Sequence, residues 1–295
     1  MPDAATLHIR LLRPRDIAVA MRLKEGAGWN QAPEDWERFL AMSPTGCFAA
    51  ERDGLVIGTA TTISYGGILG WIGMVLVDPL NRGGGIGTAL LREAISHLDS
   101  LRIPTVKLDA TPQGRPIYER LGFSEEYCVE RWTLRRDAGG AAGKQAAAKD
   151  VDRAAGPAQG ELEEICALDR EIFGADRGGL LLSLGRAAPE LVVTARSGGA
   201  RRGYALGRRG SAADHLGPWA AEDPVAAVEV LDEFLRRTDR AQVIVDQVCP
   251  NTWIRAVLEA RGFEHSRPLT RMYRGTNACA GQPARLCGIL GPEFG

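Results

Sequence analysis

Residues 71–91 read WIGMVLVDPLNRGGGIGTALL, and this stretch is the most specific pattern in the chain. The apolar run from Trp71 to Val77 predicts a buried strand, which Asp78 and Pro79 end. A glycine-rich turn follows directly, and after it apolar residues recur at the spacing of an amphipathic helix. The stretch therefore predicts a strand, a glycine-rich loop and a helix N-terminus, in that order.

Such a loop has the chemistry of an anion site. A helix start leaves about four backbone N–H groups without partners, and the helix dipole adds roughly half a positive charge there. Glycines let the backbone approach a phosphate closely. The dinucleotide-binding motif G-x-G-x-x-G is excluded, because Gly85 and Gly87 would be its first two glycines and Leu90 occupies the position of the third. A Walker loop is also excluded, because that motif needs a lysine and the loop has none.

The spacing of Arg82, Gly85 and Gly87 resembles the acetyl-CoA loop of the GNAT N-acetyltransferase superfamily, R/Q-x-x-G-x-G/A. A second resemblance lies downstream, where a helix carrying Tyr118 ends at Leu-Gly-Phe in residues 121–123. The resemblance to this family covers about residues 7–135. They imply a mixed α/β GNAT fold, with acetyl-CoA as cosubstrate and no metal.

The resemblance also implies which residues bind the cofactor. In GNAT proteins the strand equivalent to 71–77 parts from its neighbour, and its backbone pairs with the pantetheine amides, so we expect this of Val75 and Val77. We expect the pyrophosphate to bind the loop and the helix start, which comprise Arg82, Gly83, Gly84, Gly85, Ile86, Gly87 and Thr88.

Acetyl transfer from a thioester to an amine requires that the amine lose a proton and that the leaving thiolate gain one. Tyr118 is the expected acid, because a phenol with a pKa near 10 is protonated at neutral pH. Asp109, at the end of a predicted strand, is the candidate base, acting directly or through water. The alternative role for Asp109 is to cap the following turn.

Trp29, Asn30 and Asp35 lie in the region of the first two predicted helices, which forms one wall of the acceptor site in GNAT proteins. An aromatic ring and a carboxylate suit a cationic amine, although the tryptophan could instead pack in the core. From the second half of the chain we expect Asp246 to face the amine. Arginines also flank residues 203–206, and they form either an anion site or a solvated hairpin rim.

Composition excludes several classes of partner. A formal net charge of −1 argues against nucleic acid or an anionic membrane. The N-terminus lacks an apolar signal region, and no run reaches membrane-spanning length, so a cytoplasmic monomer or homodimer is expected. The six cysteines lack metal-ligand spacing, which predicts reduced thiols without a metal site or a disulfide framework.

The chain divides at an Ala/Gly-rich linker, residues 137–160, between a cofactor-binding domain at 1–136 and a second domain at 161–295. The second domain resembles a degenerate copy of the first. Residues 243–246 match 106–109, and residues 257–263 match 117–123. However, the glycine loop is missing after Asp223-Pro224, and Leu258 stands at the position of Tyr118. We therefore expect this domain to shape the acceptor site without binding acetyl-CoA. Within the tail 276–295, the stretch CGILGPEFG at residues 287–295 could add a last strand.

Together these features predict an enzyme that moves the acetyl group of acetyl-CoA to the primary amine of an amino acid, polyamine or amino sugar. The amine would attack directly in a ternary complex. Two alternatives stay open: a protein lysine or N-terminal acetyltransferase with an open groove, and a CoA-binding sensor without turnover.

Overall fold

Residues 7–136, 157–158 and 160–295 are described by the computed structural model, and they divide into two units. Unit 1 comprises the described residues up to Glu125, together with Met272–Ala278 and Phe294. Unit 2 comprises the described residues of Glu126–Arg271, together with Cys279–Glu293 and Gly295. The predicted linker lies almost entirely outside the described residues.

Unit 1 is a mixed α/β structure, as the sequence predicts. Its strands lie in the order β1-β2-β3-β4-β5, antiparallel up to β4, whereas β5 is parallel to β4. The elements are β1 (His8–Leu11), α1 (Ile17–Gly26), α2 (Pro33–Met42), β2 (Cys47–Arg52), β3 (Leu55–Tyr65), β4 (Leu69–Val77), α3 (Ile86–Ser100), β5 (Thr105–Ala110) and α4 (Arg115–Arg120).

Local patterns account for these elements. The Asp-Gly pair between β2 and β3 favours a tight hairpin, and Asp53 and Gly54 both have positive φ, 52° and 75°, as such a turn requires. Helix α3 buries one apolar stripe, which includes Leu90, Ala94 and Leu98, against the sheet. Burying each such leucine contributes about 1.5–3 kcal/mol, so this contact holds the helix start in place at the end of β4.

Unit 2 contains a second set of strands and helices. Its strand order is β11-β6-β10-β12-β9-β8-β7. The elements are β6 (Ser124–Arg135), α5 (Glu161–Phe173), α6 (Gly178–Ala187), β7 (Val193–Ser197), β8 (Ala200–Arg209), β9 (Asp214–Ala221), α7 (Pro224–Arg237), β10 (Gln242–Val248), α8 (Trp253–Glu259), β11 (Glu264–Gly275) and β12 (Leu286–Gly288). The last of these is the strand expected in the tail.

The two units are not contiguous along the chain. Most of β6 belongs to unit 2, where it pairs with β10, and the end of β11 belongs to unit 1, where it lies beside β5. There Thr276 donates its N–H to the carbonyl of Pro104 at 3.1 Å, and Met272 is buried in the apolar core. The late segment 272–278 thus completes the sheet that residues 7–125 begin.

The prediction that all the cysteines are reduced is wrong, because Cys128 and Cys249 form a disulfide. The antiparallel ladder between β6 and β10 pairs Val129 with Val248. Cys128 and Cys249 come directly after this pair in the ladder and face each other. Their Cα atoms lie 5.4 Å apart, within the range a disulfide spans. Glu130 approaches the same two sulfur atoms, but the sulfurs are bonded to each other.

Among the described residues, none of the helices combines the length and the apolar character needed to cross a bilayer.

Candidate functional site

Strands β4 and β5 part at the middle of the unit 1 sheet. Their parallel pairing joins three residue pairs and ends at Trp71 opposite Lys107, although β4 continues to Val77. A bulge bends β4 where they separate: Met74 has a φ of 49°, and its carbonyl accepts a hydrogen bond from the Thr59 hydroxyl at 2.8 Å. The backbone of residues 72–77 is therefore free of β5, as the expected parting of the strands requires.

Within this part of β4, Val75 and Val77 are the partly exposed residues, and Leu76 between them is buried. Alternation along the strand thus turns both valines to one side. These are the two residues whose backbone, by the resemblance to GNAT proteins, is expected to pair with the pantetheine amides.

The glycine-rich loop leaves the end of β4 through a short capped turn. Asp78 accepts a hydrogen bond from the Leu80 N–H at 2.8 Å, and Arg82 donates from Nε to the carbonyl of Val77 at 3.2 Å. Gly83 and Gly85 have φ values of 82° and 75°, which favour glycine. A Cβ placed on either glycine would meet no heavy atom within 4 Å. Both glycines therefore face open space.

Helix α3 begins immediately after the loop, with Gly85 at its N-cap. The first helical hydrogen bond runs from the Ala89 N–H to the Gly85 carbonyl at 2.9 Å, so the amides of Ile86, Gly87 and Thr88 precede it. Residues 82–85 are exposed. Exposed glycines, a helix start and a neighbouring arginine fit the pyrophosphate of acetyl-CoA.

Tyr118 lies on α4, and its ring packs against unit 1's apolar core. Its ring meets Phe123 edge-on at 6.1 Å between centroids. It also lies so close to Gly114 that a Cβ there would come within 2.9 Å of Cε2. Burial raises the pKa of Tyr118 to about 12, so its phenol keeps its proton throughout the neutral range.

Asp109 is partly buried near the end of β5, two residues beyond the last pair with β4. Its strand neighbours Leu108 and Ala110 point into the core beneath α3, so the Asp109 side chain lies on the other face of the sheet. Thr111 caps the following turn, because its hydroxyl accepts from the Gly114 N–H at 3.2 Å. The role of Asp109 as base stays a prediction.

The first two helices place the predicted acceptor residues in different surroundings. Asp35 is fully buried, and its carboxylate accepts hydrogen bonds from the Ala32 N–H at 3.0 Å and from Arg38 at 3.2 Å. These contacts cap the start of α2. Asn30 is also buried, and Trp29 is partly buried. Acceptor binding by these three residues stays a prediction.

The tail adds one unit 1 residue that sequence reasoning missed. Phe294 is fully buried, its ring stacks on Phe39 of α2 at 4.6 Å, and its carbonyl accepts a hydrogen bond from Tyr65 at 2.8 Å. The apolar residues near the end of the tail are the sequence feature that could have indicated the burial of Phe294.

In unit 2, Asp246 occupies the position that Asp109 has in the first repeat. It is fully buried, and its two oxygens accept from Nε and Nη2 of Arg131 at 2.8 and 2.7 Å. The pKa of the Asp246 carboxyl stays below its usual range, because the charge and hydrogen bonds of Arg131 outweigh the opposing effect of burial. Contact between Asp246 and an amine stays a prediction.

Unit 2 lacks the loop and the open strand edge. Helix α7 begins at Pro224 directly after β9, and Asp223 caps it by accepting from the Ala226 N–H at 2.9 Å. Strands β9 and β10 pair over three residues and then part, as β4 and β5 do, but β12 lies between them. Gly288 of β12 faces Gln247 on one side and Trp219 on the other.

Two protein-family models match separate parts of the chain. A model of the acetyltransferase (GNAT) family matches residues 18–123, and a model of an acetyltransferase (GNAT) domain matches residues 165–288. The chain belongs to the GNAT acetyltransferase superfamily. It is a tandem member of this superfamily, with one GNAT match in each half.

Among curated relatives, a mycothiol acetyltransferase of Thermomonospora curvata is 38% identical over 44% of this chain and 47% of its own length. The chain thus spans about half of that relative. A glucosamine 6-phosphate N-acetyltransferase of Trypanosoma brucei brucei is 33% identical over 42% of this chain and 92% of its own length. Among solved structures, a putative acetyltransferase of Pyrococcus horikoshii shares the fold with a TM-score of 0.76, at 21% identity over 100% of this chain and 99% of the other.

Proposed function

We propose that this GNAT protein is an acetyl-CoA-dependent N-acetyltransferase and that unit 1 transfers the acetyl group to the primary amine of a small molecule. The observation that carries the proposal is a continuous stretch of unit 1 backbone that β5 does not pair. This stretch runs from the part of β4 that β5 leaves open, through the glycine loop, to the start of α3.

The donor site would use mostly backbone groups. The N–H groups of residues 85–88 and the side chain of Arg82 would bind the pyrophosphate, and the open edge of β4 at Val75 and Val77 would pair with the pantetheine amides. An N–H on the same edge would polarise the acetyl carbonyl. Acetyl-CoA supplies an acetyl group on a thioester.

Two side chains would carry out the proton transfers. Asp109 would take a proton from the ammonium form of the acceptor, directly or through water, so that the neutral amine can attack. A C–N bond then forms as the C–S bond breaks. Tyr118 would donate its phenolic proton to the departing sulfur, and its raised pKa of about 12 keeps that proton available at neutral pH.

The named relatives support a small acceptor. One is called a mycothiol acetyltransferase and another a glucosamine 6-phosphate N-acetyltransferase. We therefore place the acceptor among small primary amines, with amino sugars, amino acids and polyamines as the classes to test.

An acceptor screen tests the proposal. The full chain is incubated with acetyl-CoA and single amines from the three classes, with lysine-containing peptides in parallel, and acetylated products are identified by mass spectrometry. Acetylation of a small amine that is lost in Tyr118→Phe supports the proposal. Turnover with peptides alone would favour a protein acetyltransferase, and tight acetyl-CoA binding without any turnover would favour the sensor.

A further inference from the structure

One face of the unit 2 sheet carries a row of charged side chains across five strands. Arg208 on β8 lies opposite His215 on β9, and Asp246 on β10 lies opposite Arg131 on β6. Arg267 is on β11, the strand next to β6, and it lies close enough to interact electrostatically with Arg131 and Asp246. The residues that alternate with them, including Leu216, Val245 and Trp132, form the apolar core on the opposite face.

This row is buried. The side chains of Arg131, Arg208, His215 and Asp246 belong to residues that are at most 6% exposed, whereas Arg267 is partly exposed. This face of unit 2 corresponds to the face of the unit 1 sheet on which Asp109 lies. Asp109 and Asp246 each follow core residues of their strand that pack beneath a helix on the opposite face.

The charges in the row do not balance. Asp246 binds Arg131 through both oxygens, and Glu293 accepts a hydrogen bond from Arg208. His215 places Nε2 3.3 Å from Asp246, but burial lowers the pKa of His215 to about 4, so the imidazole is neutral at pH 7. Three guanidinium groups therefore face two carboxylates, and one positive charge is left over.

Arg267 is the remaining guanidinium of the row, since the hydrogen bonds of Asp246 and Glu293 go to Arg131 and Arg208. Its Nε atom is buried and has no hydrogen-bond partner among the described residues. Burial and the neighbouring charge of Arg131 lower the pKa of Arg267, although the charges of Asp246 and Glu293 oppose this effect. A buried N–H without a partner is costly, and a guanidinium pairs best with a planar carboxylate or with a phosphate.

We propose that this face of unit 2 is a binding site for a small organic anion, whose carboxylate or phosphate group pairs with Arg267 beside the Arg131–Asp246 pair. The anion would enter from the partly exposed side of Arg267. This site is independent of the acetyl-CoA loop in unit 1, which binds phosphate through backbone amides instead.

Calorimetric titration of the full chain tests the site, with inorganic phosphate in one series and acetate in the other at constant ionic strength. Arg267→Gln should weaken binding of the preferred anion about tenfold or more, because a charge-assisted hydrogen bond is lost. Arg261→Gln is the matched control, since Arg261 is ion-paired with Asp232 elsewhere in unit 2. The series that responds identifies the anion class.

Phosphate could also bind the unit 1 loop, and two variants separate the sites. Binding lost in Arg267→Gln but kept in Gly85→Asp supports the unit 2 site, whereas the reverse pattern overturns it. Absence of binding by either anion also overturns it. Arg267→Lys, which keeps the charge, covers the case in which Arg267→Gln does not fold, and it should bind more weakly than wild type. Acetyl-CoA affinity, measured on the same samples, tests the unit 1 proposal separately.

Discussion

Ile289 donates its backbone N–H to the carbonyl of Asp246 at 2.9 Å. Through this bond and the pairing of β12, the tail occupies the gap between β9 and β10, whereas in unit 1 the pairing of β4 with β5 ends at Trp71 and no described strand lies between them. Unit 2 thus has the same parting of two parallel strands as unit 1, but its own chain occupies the gap.

The occupied gap predicts one acetyl-CoA per chain. Neither the open strand edge nor the glycine loop is present in unit 2, so only unit 1 should bind the cofactor. Isothermal titration calorimetry of the full chain should saturate at one equivalent. Saturation at two equivalents would show that unit 2 retains a donor site.

Tyr118→Phe removes the proposed acid and leaves the ring contacts in place. We expect kcat to fall by about 10²–10⁴-fold while the Kd for acetyl-CoA stays close to wild type. Because the pKa of Tyr118 is raised to about 12, its deprotonation should not lower kcat below about pH 10. Tyr273→Phe serves as the control, since no role is assigned to that hydroxyl. Wild-type turnover by Tyr118→Phe would reduce Tyr118 to a packing residue.

Gly114→Ala probes the position of the same ring. The added methyl would lie 2.9 Å from Cε2 of Tyr118, so the ring must shift, whereas Gly26→Ala adds a methyl with no heavy atom within 4 Å. Gly114→Ala should therefore lower kcat by about tenfold or more without weakening acetyl-CoA binding, since a small misplacement of a reacting group is costly. Equal kcat values for the two variants would argue against a positioned Tyr118.

The disulfide should stabilise unit 2. It joins residues 121 apart in sequence, and removing a disulfide typically costs about 2–4 kcal/mol of unfolding free energy. Cys128→Ser should lower Tm and abolish its dependence on reductant, whereas Cys166→Ser, at a free thiol, should keep that dependence. If reductant leaves the wild-type Tm unchanged, the bond does not contribute to stability.

Much of unit 1 could be predicted because its signals are local. The run before Asp78 predicts β4, Asp53-Gly54 predicts the hairpin, and the apolar spacing from Ile86 predicts α3. Residues that meet across long separations gave no such signal. Neither the Cys128–Cys249 bond nor the pairing of Arg131 with Asp246 has any local pattern.

Burial changed the interpretation of several charged residues. Asp35 could have been recognised as a helix cap, since it stands two residues after Pro33 at a helix start. Arg208 could not be distinguished from its partly exposed neighbour Arg209, because the face that each side chain takes depends on strand register and on Glu293 from the distant tail.

The central claim is that the loop 82–87 binds acetyl-CoA, and titration calorimetry of Gly85→Asp tests it most directly. Gly54→Asp is the matched control, because Gly54 has the same φ of 75° and equally open surroundings but lies in the β2–β3 hairpin. A carboxylate at residue 85 would face the pyrophosphate and strain the helix start. The account predicts that Gly85→Asp weakens acetyl-CoA binding by at least about tenfold while Gly54→Asp binds like wild type. Unchanged affinity in Gly85→Asp would contradict it.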